Sequence, residues 1–171
     1  MKKFFGLLCA FVLITSCDVN TDPIEFTATT SVVESLSVSI PQTTNATANF
    51  NETVNFDLNS VVSNFSDING ITINSFTYKY QNVTGNTNAV IQSATIIING
   101  VVIANLSDVN MAQEAANGTV FSISDSSILE QIETIFLNNT SVNIGFSGTA
   151  VSDAGPVNFD IELTIDLTVS L

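Results

Sequence analysis

From Val157 to Leu171 every second residue is apolar: Val157, Phe159, Ile161, Leu163, Ile165, Leu167, Val169 and Leu171. Asn158, Asp160, Glu162, Thr164, Asp166, Thr168 and Ser170 fill the positions between them. An extended chain turns successive side chains to opposite faces, so this run reads as a strand with one dry and one wet side. A helix would scatter the same residues around its axis. A strand this long, without lysine or internal proline, is an aggregation hazard at an open edge. It is therefore expected inside a sheet, or completed by a partner through strand addition.

The same period of two recurs upstream. Leu36, Val38 and Ile40 alternate with serines until Pro41, and Val54, Phe56 and Leu58 alternate with Asn55 and Asp57. Ile71 to Val83 has strand character, and its apolar phase slips between Ile73 and Phe76, the mark of a bulge or of a strand buried on both faces. In Thr95 to Ile103 the central Asn99-Gly100 supplies the two positive-φ residues of a type I′ turn, which predicts an antiparallel hairpin. Thr119 to Ser124 is a further short strand, and Val142, Ile144, Phe146 and Ala150 mark another, followed by a turn at Asp153 to Pro156.

Two stretches depart from alternation. Leu58, Val61, Val62 and Phe65 have helical spacing, and Asp108 to Gly118 reads as a loop or weak helix. One helix is convincing, over about 127–137: Ser127 with Glu130 forms a capping box, Ile128, Leu129, Ile132, Ile135 and Phe136 share a face, and Asn138-Asn139 ends it. The pattern predicts a mainly β protein, an antiparallel β-sandwich of immunoglobulin-like general architecture, with this helix covering one end or edge. Val-Asn-Phe-Asp-Leu at 54–58 echoes Val-Asn-Phe-Asp-Ile at 157–161, but the flanks differ and the echo reads as strand composition, not duplication.

The first residues have another character. Lys2 and Lys3 precede an apolar run from Phe4 to Ile14, broken only by Gly6. That run is about half the length of a membrane-spanning helix, which makes it a secretory signal. Ile14-Thr15-Ser16-Cys17 resembles the lipobox of bacterial lipoproteins. The resemblance implies that 1–16 is a signal peptide and that Cys17 becomes the first mature residue with lipid on its sulfur. Residues 17–30 would then be a lipidated tether, containing Pro23, and 31–171 a single domain. It places the protein in the cell envelope, anchored to a membrane, with the outer membrane of a Gram-negative bacterium as the expected location. Asp18, directly after the cysteine, favours inner-membrane retention in some lipoproteins. Cys9 lies in the removed segment, so no disulfide supports the mature fold, and the nine of the chain's twelve phenylalanines that follow Cys17, with abundant Ile and Val, must hold it by packing.

Composition narrows the chemistry. All sixteen carboxylates follow Cys17 and face one lysine, Lys79, a formal charge of −15 on the mature chain. Such a surface repels nucleic acid and anionic headgroups. Histidine and arginine are absent, which removes the usual Ser and Cys triads and, with no free thiol, the common zinc, copper and haem sites. Lys79, between Tyr78 and Tyr80, reads as the solvent-facing side chain of a strand. Asp160 and Glu162 share a strand face at roughly 7 Å, a pair that any polar face offers to glycoside hydrolysis and therefore weak. Calcium is the one cofactor for which fragments of a ligand pattern occur. Asp18-Val-Asn-Thr-Asp22 begins an EF-hand-like loop, but Pro23 replaces the glycine and Thr29 the final glutamate, and Asp67-Ile-Asn-Gly70 is a shorter fragment. Eight Asn-x-Ser/Thr sequons are of a number close to that expected in Asn/Thr-rich sequence.

The expected function is thus a non-catalytic binding or structural module of the envelope, without a cofactor, whose acidic face or end loops meet an envelope protein or glycan. The alternative is a subunit of a surface appendage or adhesive layer assembled through strand edges.

Overall fold

The computed structural model describes residues 27–44, 46–58 and 68–170. Cys17, the Asp18–Asp22 fragment, Asp67 and the helical spacing around Val61 lie outside these residues. Eight strands and two helices follow in the order β1 (Thr27–Ile40), β2 (Ala48–Asp57), β3 (Gly70–Gly85), β4 (Val90–Ile98), β5 (Val101–Asn110), α1 (Met111–Asn117), β6 (Phe121–Ile123), α2 (Ser126–Asn138), β7 (Ser141–Val151) and β8 (Val157–Ser170). They form two antiparallel four-stranded sheets, β1-β8-β3-β6 and β2-β7-β4-β5. The expected sandwich is present, and its connectivity is that of an eight-stranded jelly roll, in which successive strands cross between the sheets except at the β4–β5 hairpin.

β8 lies inside its sheet, the first of the two arrangements expected for a long strand without lysine or proline. It pairs with β1 from Thr27↔Ser170 to Ile40↔Val157, and with β3 on its other side. Val157, Phe159, Ile161, Leu163, Ile165, Leu167 and Val169 are all buried, each contributing roughly 1.5–3 kcal/mol. Opposite them pack Phe50, Phe56, Ile91, Ile96, Val142, Ile144 and Phe146 of the second sheet. A run of aromatic contacts crosses the core: Phe50 to Phe146, Phe146 to Phe159, Phe159 to Tyr80 and Tyr80 to Phe121, at centroid distances of 5.0, 6.4, 5.8 and 6.0 Å.

The phase slip in β3 is a bulge, with pairing to β8 shifting between Ile73 and Ser75. The hairpin closes through Asn99 (φ 44) and Gly100 (φ 88). β1 begins at Thr27, inside the expected tether, because β8 continues to Ser170 and offers backbone partners where the apolar alternation of β1 has faded.

The capping box at Ser127 is corrected. Asp125 is the N-cap, and both the backbone N–H and the hydroxyl of Ser127 donate to its Oδ1, at 2.9 and 2.7 Å. A carboxylate satisfies both donors and suits the positive end of the helix better than a neutral hydroxyl. α2 covers the β5 and β6 side of the sandwich, packed against β3: Ile132 and Phe136 are buried, Phe136 meets Phe56 at 6.0 Å, and Glu133 accepts from the Ile73 N–H beside the bulge at 2.7 Å. The stretch 108–118 contains a real helix, α1, capped by Asn110 and ended by Gly118 at φ 64. Its buried Met111 is the apolar anchor that composition alone did not reveal.

Two side-chain environments make predictions. A Cβ on Gly148 would lie 2.1 Å from the Ser93 carbonyl oxygen and 2.7 Å from the Ala94 Cα. Gly148→Ala is therefore expected to cost about 1–3 kcal/mol, measured by chemical denaturation. Tyr80 is buried, and its hydroxyl has no hydrogen-bond partner among the described residues. Tyr80→Phe should leave the melting temperature unchanged or higher, since it removes a polar group that folding strips of water. A clear fall would show that the hydroxyl is bonded.

Candidate binding surfaces

The outer face of the β1-β8-β3-β6 sheet is organised around the wet row of β8. Asp160 accepts from the Ser37 hydroxyl of β1 (2.6 Å) and the Asn82 amide of β3 (2.7 Å). Glu162 forms an ion pair with Lys79 at 2.7 Å and accepts from Gln81 at 2.8 Å. Asp166 accepts from Ser75 at 2.6 Å, and Thr168 from Asn74 at 3.0 Å. Three carboxylates thus stand in line along the centre of the sheet, each flanked by donors from its neighbours. The hydrogen bonds hold Asp160 below the ordinary carboxylate range, through Asn82 and then Ser37, and Asp166 likewise, through Ser75 and then Ser31. Both side chains keep their charge into acid.

Lys79 faces outward as expected, its side chain 41% exposed. Asp160 and Glu162 do share a face. The donors around them fix the carboxylates as acceptors, and Asp160 is shifted downward, the opposite of what a general acid needs. Asn82, which the sequence offered only as a sequon, is a main support of Asp160, and it reaches that carboxylate from positive φ (53) where pairing shifts between Gln81 and Thr84.

The other outer face has no carboxylate at its centre, and Asp57 stands at the end of the outward row of its edge strand β2. β4 and β7 carry no carboxylate, and the side chains bond in ladders: Asn55 to Asn143 at 3.0 Å, Ser141 to Asn55 at 2.7 Å, Ser93 with Thr149 at 3.0 Å. Carboxylates on a central strand therefore occur on one outer face only, along β8.

A third surface is the end of the sandwich where β1 stops and β8 starts. The described parts of the loop after β1, residues 41–44 and 46–47, and loops 86–89 and 152–156 interlock there. Thr43 and Ser152 are buried and bond reciprocally, Thr43 N to Ser152 O at 3.0 Å and Ser152 N to Thr43 Oγ1 at 2.8 Å. Asn86 donates to the Ser152 hydroxyl, Ser152 donates to the Gly155 carbonyl, and Thr43 donates to Asp153 at 3.3 Å. Two depressions, of about 460 and 250 Å³, flank Asp153, one lined by Ala46, Thr47, Gln92 and Val151, the other by Asn86, Asn88, Val90 and Ala154. None of this cluster was singled out from sequence, since it joins loops about 110 residues apart and no local motif marks it. Among the described residues no group of three or more Asp, Glu, His or Cys converges on a metal position, and no helix is long and apolar enough to cross a membrane.

No family model and no curated protein matches the chain. Among solved structures, the chain is similar to the decameric BFDV capsid protein, at 13% identity and a TM-score of 0.42, covering 84% of this chain and 99% of that one. It is also similar to a chain of infectious bursal disease virus Gx strain, at 11% identity and a TM-score of 0.23, covering 92% of this chain and 44% of that one. Likeness at this level carries no argument about activity.

The carboxylate row makes a pH prediction. Because Asp160 and Asp166 titrate lower folded than unfolded, their contribution to stability is complete above the ordinary carboxylate range and is lost as pH falls through the lowered values. Glu34, raised by burial, acts oppositely: its penalty disappears as pH falls through its raised value. Carboxyl-carbon NMR should find Asp160 titrating below ordinary aspartate, and Asn82→Ala should move its midpoint upward.

Proposed function

We propose that this chain is a lipid-anchored module of the bacterial cell envelope, attached through Cys17, which binds a partner non-catalytically. Thr27, the first residue of β1, lies ten positions after Cys17, a span of at most about 35 Å. The observation that carries the reading is the position of Thr27. It lies beside Ser170 and Gly70, at the end of the sandwich opposite the interlocked loops. An anchor there leaves those loops farthest from the attachment point, and the acidic sheet face unobstructed along its length. A row of fixed carboxylates among hydroxyls and amides suits a cationic protein surface or a hydroxyl-rich glycan. Fold alone names neither.

A second reading, assembly through strand edges into a surface layer, is supported by the edge of β1, beyond which no described strand lies.

Replacement of Cys17 tests the anchor. In cells, Cys17→Ala should block processing or release the protein from membranes, and lipid labelling should be lost. Normal maturation with continued membrane retention would overturn the reading.

A further inference from the structure

Four strands end the two sheets, and three of them are poor templates for another chain. β6 has three residues. β5 breaks its pairing register between Ile96 and Ile97 of its partner β4 and turns through positive φ at Asp108 (φ 55). β2 places Asn49, Asn51, Asn55 and Asp57 in its outward row, residue types depleted in strands. β1 differs from all three. It pairs with β8 at every position over fourteen residues, without a bulge, a proline or a lysine. Its outward row, Thr29, Ser31, Val33, Ser35, Ser37 and Ser39, has no charge, and Val33 is 56% exposed in its middle. The usual protections of an edge are missing, apart from Glu34, which shares the core-facing phase of Val32 and Leu36 and is half-buried.

We propose that β1 pairs antiparallel with β1 of a second copy, Val33 opposite Val33, joining two four-stranded sheets into one of eight strands. Face parity limits a two-fold pairing to registers centred on a residue. Centring on Glu34 sets two carboxylates directly against each other, which is destabilising. Centring on Val33 puts Glu34 against Val32, Ser31 against Ser35, Ser37 against Thr29 and Leu36 against Thr30, and gives every residue from Thr27 to Ser39 a partner. The exposed valine then covers its own copy. Charge does not prevent the approach. Each β8 carboxylate row sits one strand in from β1, so the two rows stand three strand spacings apart, about 14 Å, beyond a screening length of about 8 Å at physiological salt. The two Thr27 residues lie about 40 Å apart along the joined sheet, so copies tethered to one surface associate lying along it.

The inference rests on the assembly reading and not on lipidation. It is tested with the full chain in detergent, by sedimentation of the unsubstituted protein and by air oxidation of Val33→Cys and Ser39→Cys variants. The unsubstituted protein, which retains Cys9 and Cys17, is run beside them. The expected result is a dimer that Val33→Cys locks covalently and Ser39→Cys does not, with Ser35→Lys, which places a charge in the paired row, losing the dimer. A protein that stays monomeric at all concentrations overturns the assembly reading together with this inference. A dimer that Val33→Cys fails to lock, or that Ser35→Lys leaves intact, overturns the β1 pairing alone.

Discussion

β8 does two jobs that its alternation makes inseparable. Its inward row supplies seven buried side chains to the core, and its backbone supplies ladders to β1 on one side and β3 on the other. A slip of one residue in either ladder would exchange Phe159, Ile161 and Leu163 for Asp160, Glu162 and Thr164 in the core. Burying those carboxylates would cost far more than any gain in pairing. Register in this sheet is therefore set by hydrophobic burial, and the outward row follows as a consequence. Once the core positions are fixed, Asp160, Glu162 and Asp166 must form a line, and β1 and β3 bring hydroxyls, amides and Lys79 alongside them.

The second sheet is held against the first without a disulfide among the described residues and without tryptophan. Its role falls to the phenylalanines. Phe50, Phe146 and Phe159 connect the β2 side of the core to Tyr80 and Phe121 at the opposite side. The two sides of the sandwich are finished differently. On the β5 and β6 side, α1 and α2 pack against β3 and fill the space that the three-residue β6 leaves. The β1 and β2 side has no such cover among the described residues, and a half-buried glutamate stands on the core-facing phase of each strand, Glu34 and Glu52. Desolvation pushes the Glu34 carboxyl upward, so the chain tolerates an energetic penalty at the edge where regular pairing with a neighbour is easiest.

Much of this architecture was legible in the residues. Strict alternation marked β8 as a strand with one dry face, and its lack of lysine and proline left an interior place or strand addition by a partner. Asn99-Gly100 marked the β4–β5 hairpin, and the slip between Ile73 and Phe76 left a bulge or a strand buried on both faces. Each is a local signal with a local cause. What alternation cannot encode is which strand lies next to which, because it reports the face of a side chain and not its lateral neighbour. The jelly-roll order was therefore out of reach, and so was everything that depends on it. Ser37, Asn82 and Ser75 support the β8 carboxylates from 123, 78 and 91 residues away in the chain. Thr43 and Ser152 meet across a similar interval. The cap of α2 failed for a different reason: Ser127 with Glu130 fits the capping pattern, but Asp125 two residues earlier is the stronger acceptor, and Ser127 became its donor.

The pairing of β1 with β8 has a mechanical consequence. Thr27 and Ser170 are neighbours, and the loops that follow Ile40 lie at the other end of the same ladder. Tension applied between the segment before Thr27 and anything gripping loop 152–156, which leads into β8 at that far end, runs along the strand axis and loads the whole ladder at once. The same tension applied between the two termini would open the ladder one rung at a time. A domain pulled from its N-terminal side while held at loop 152–156 is thus loaded in its resistant direction.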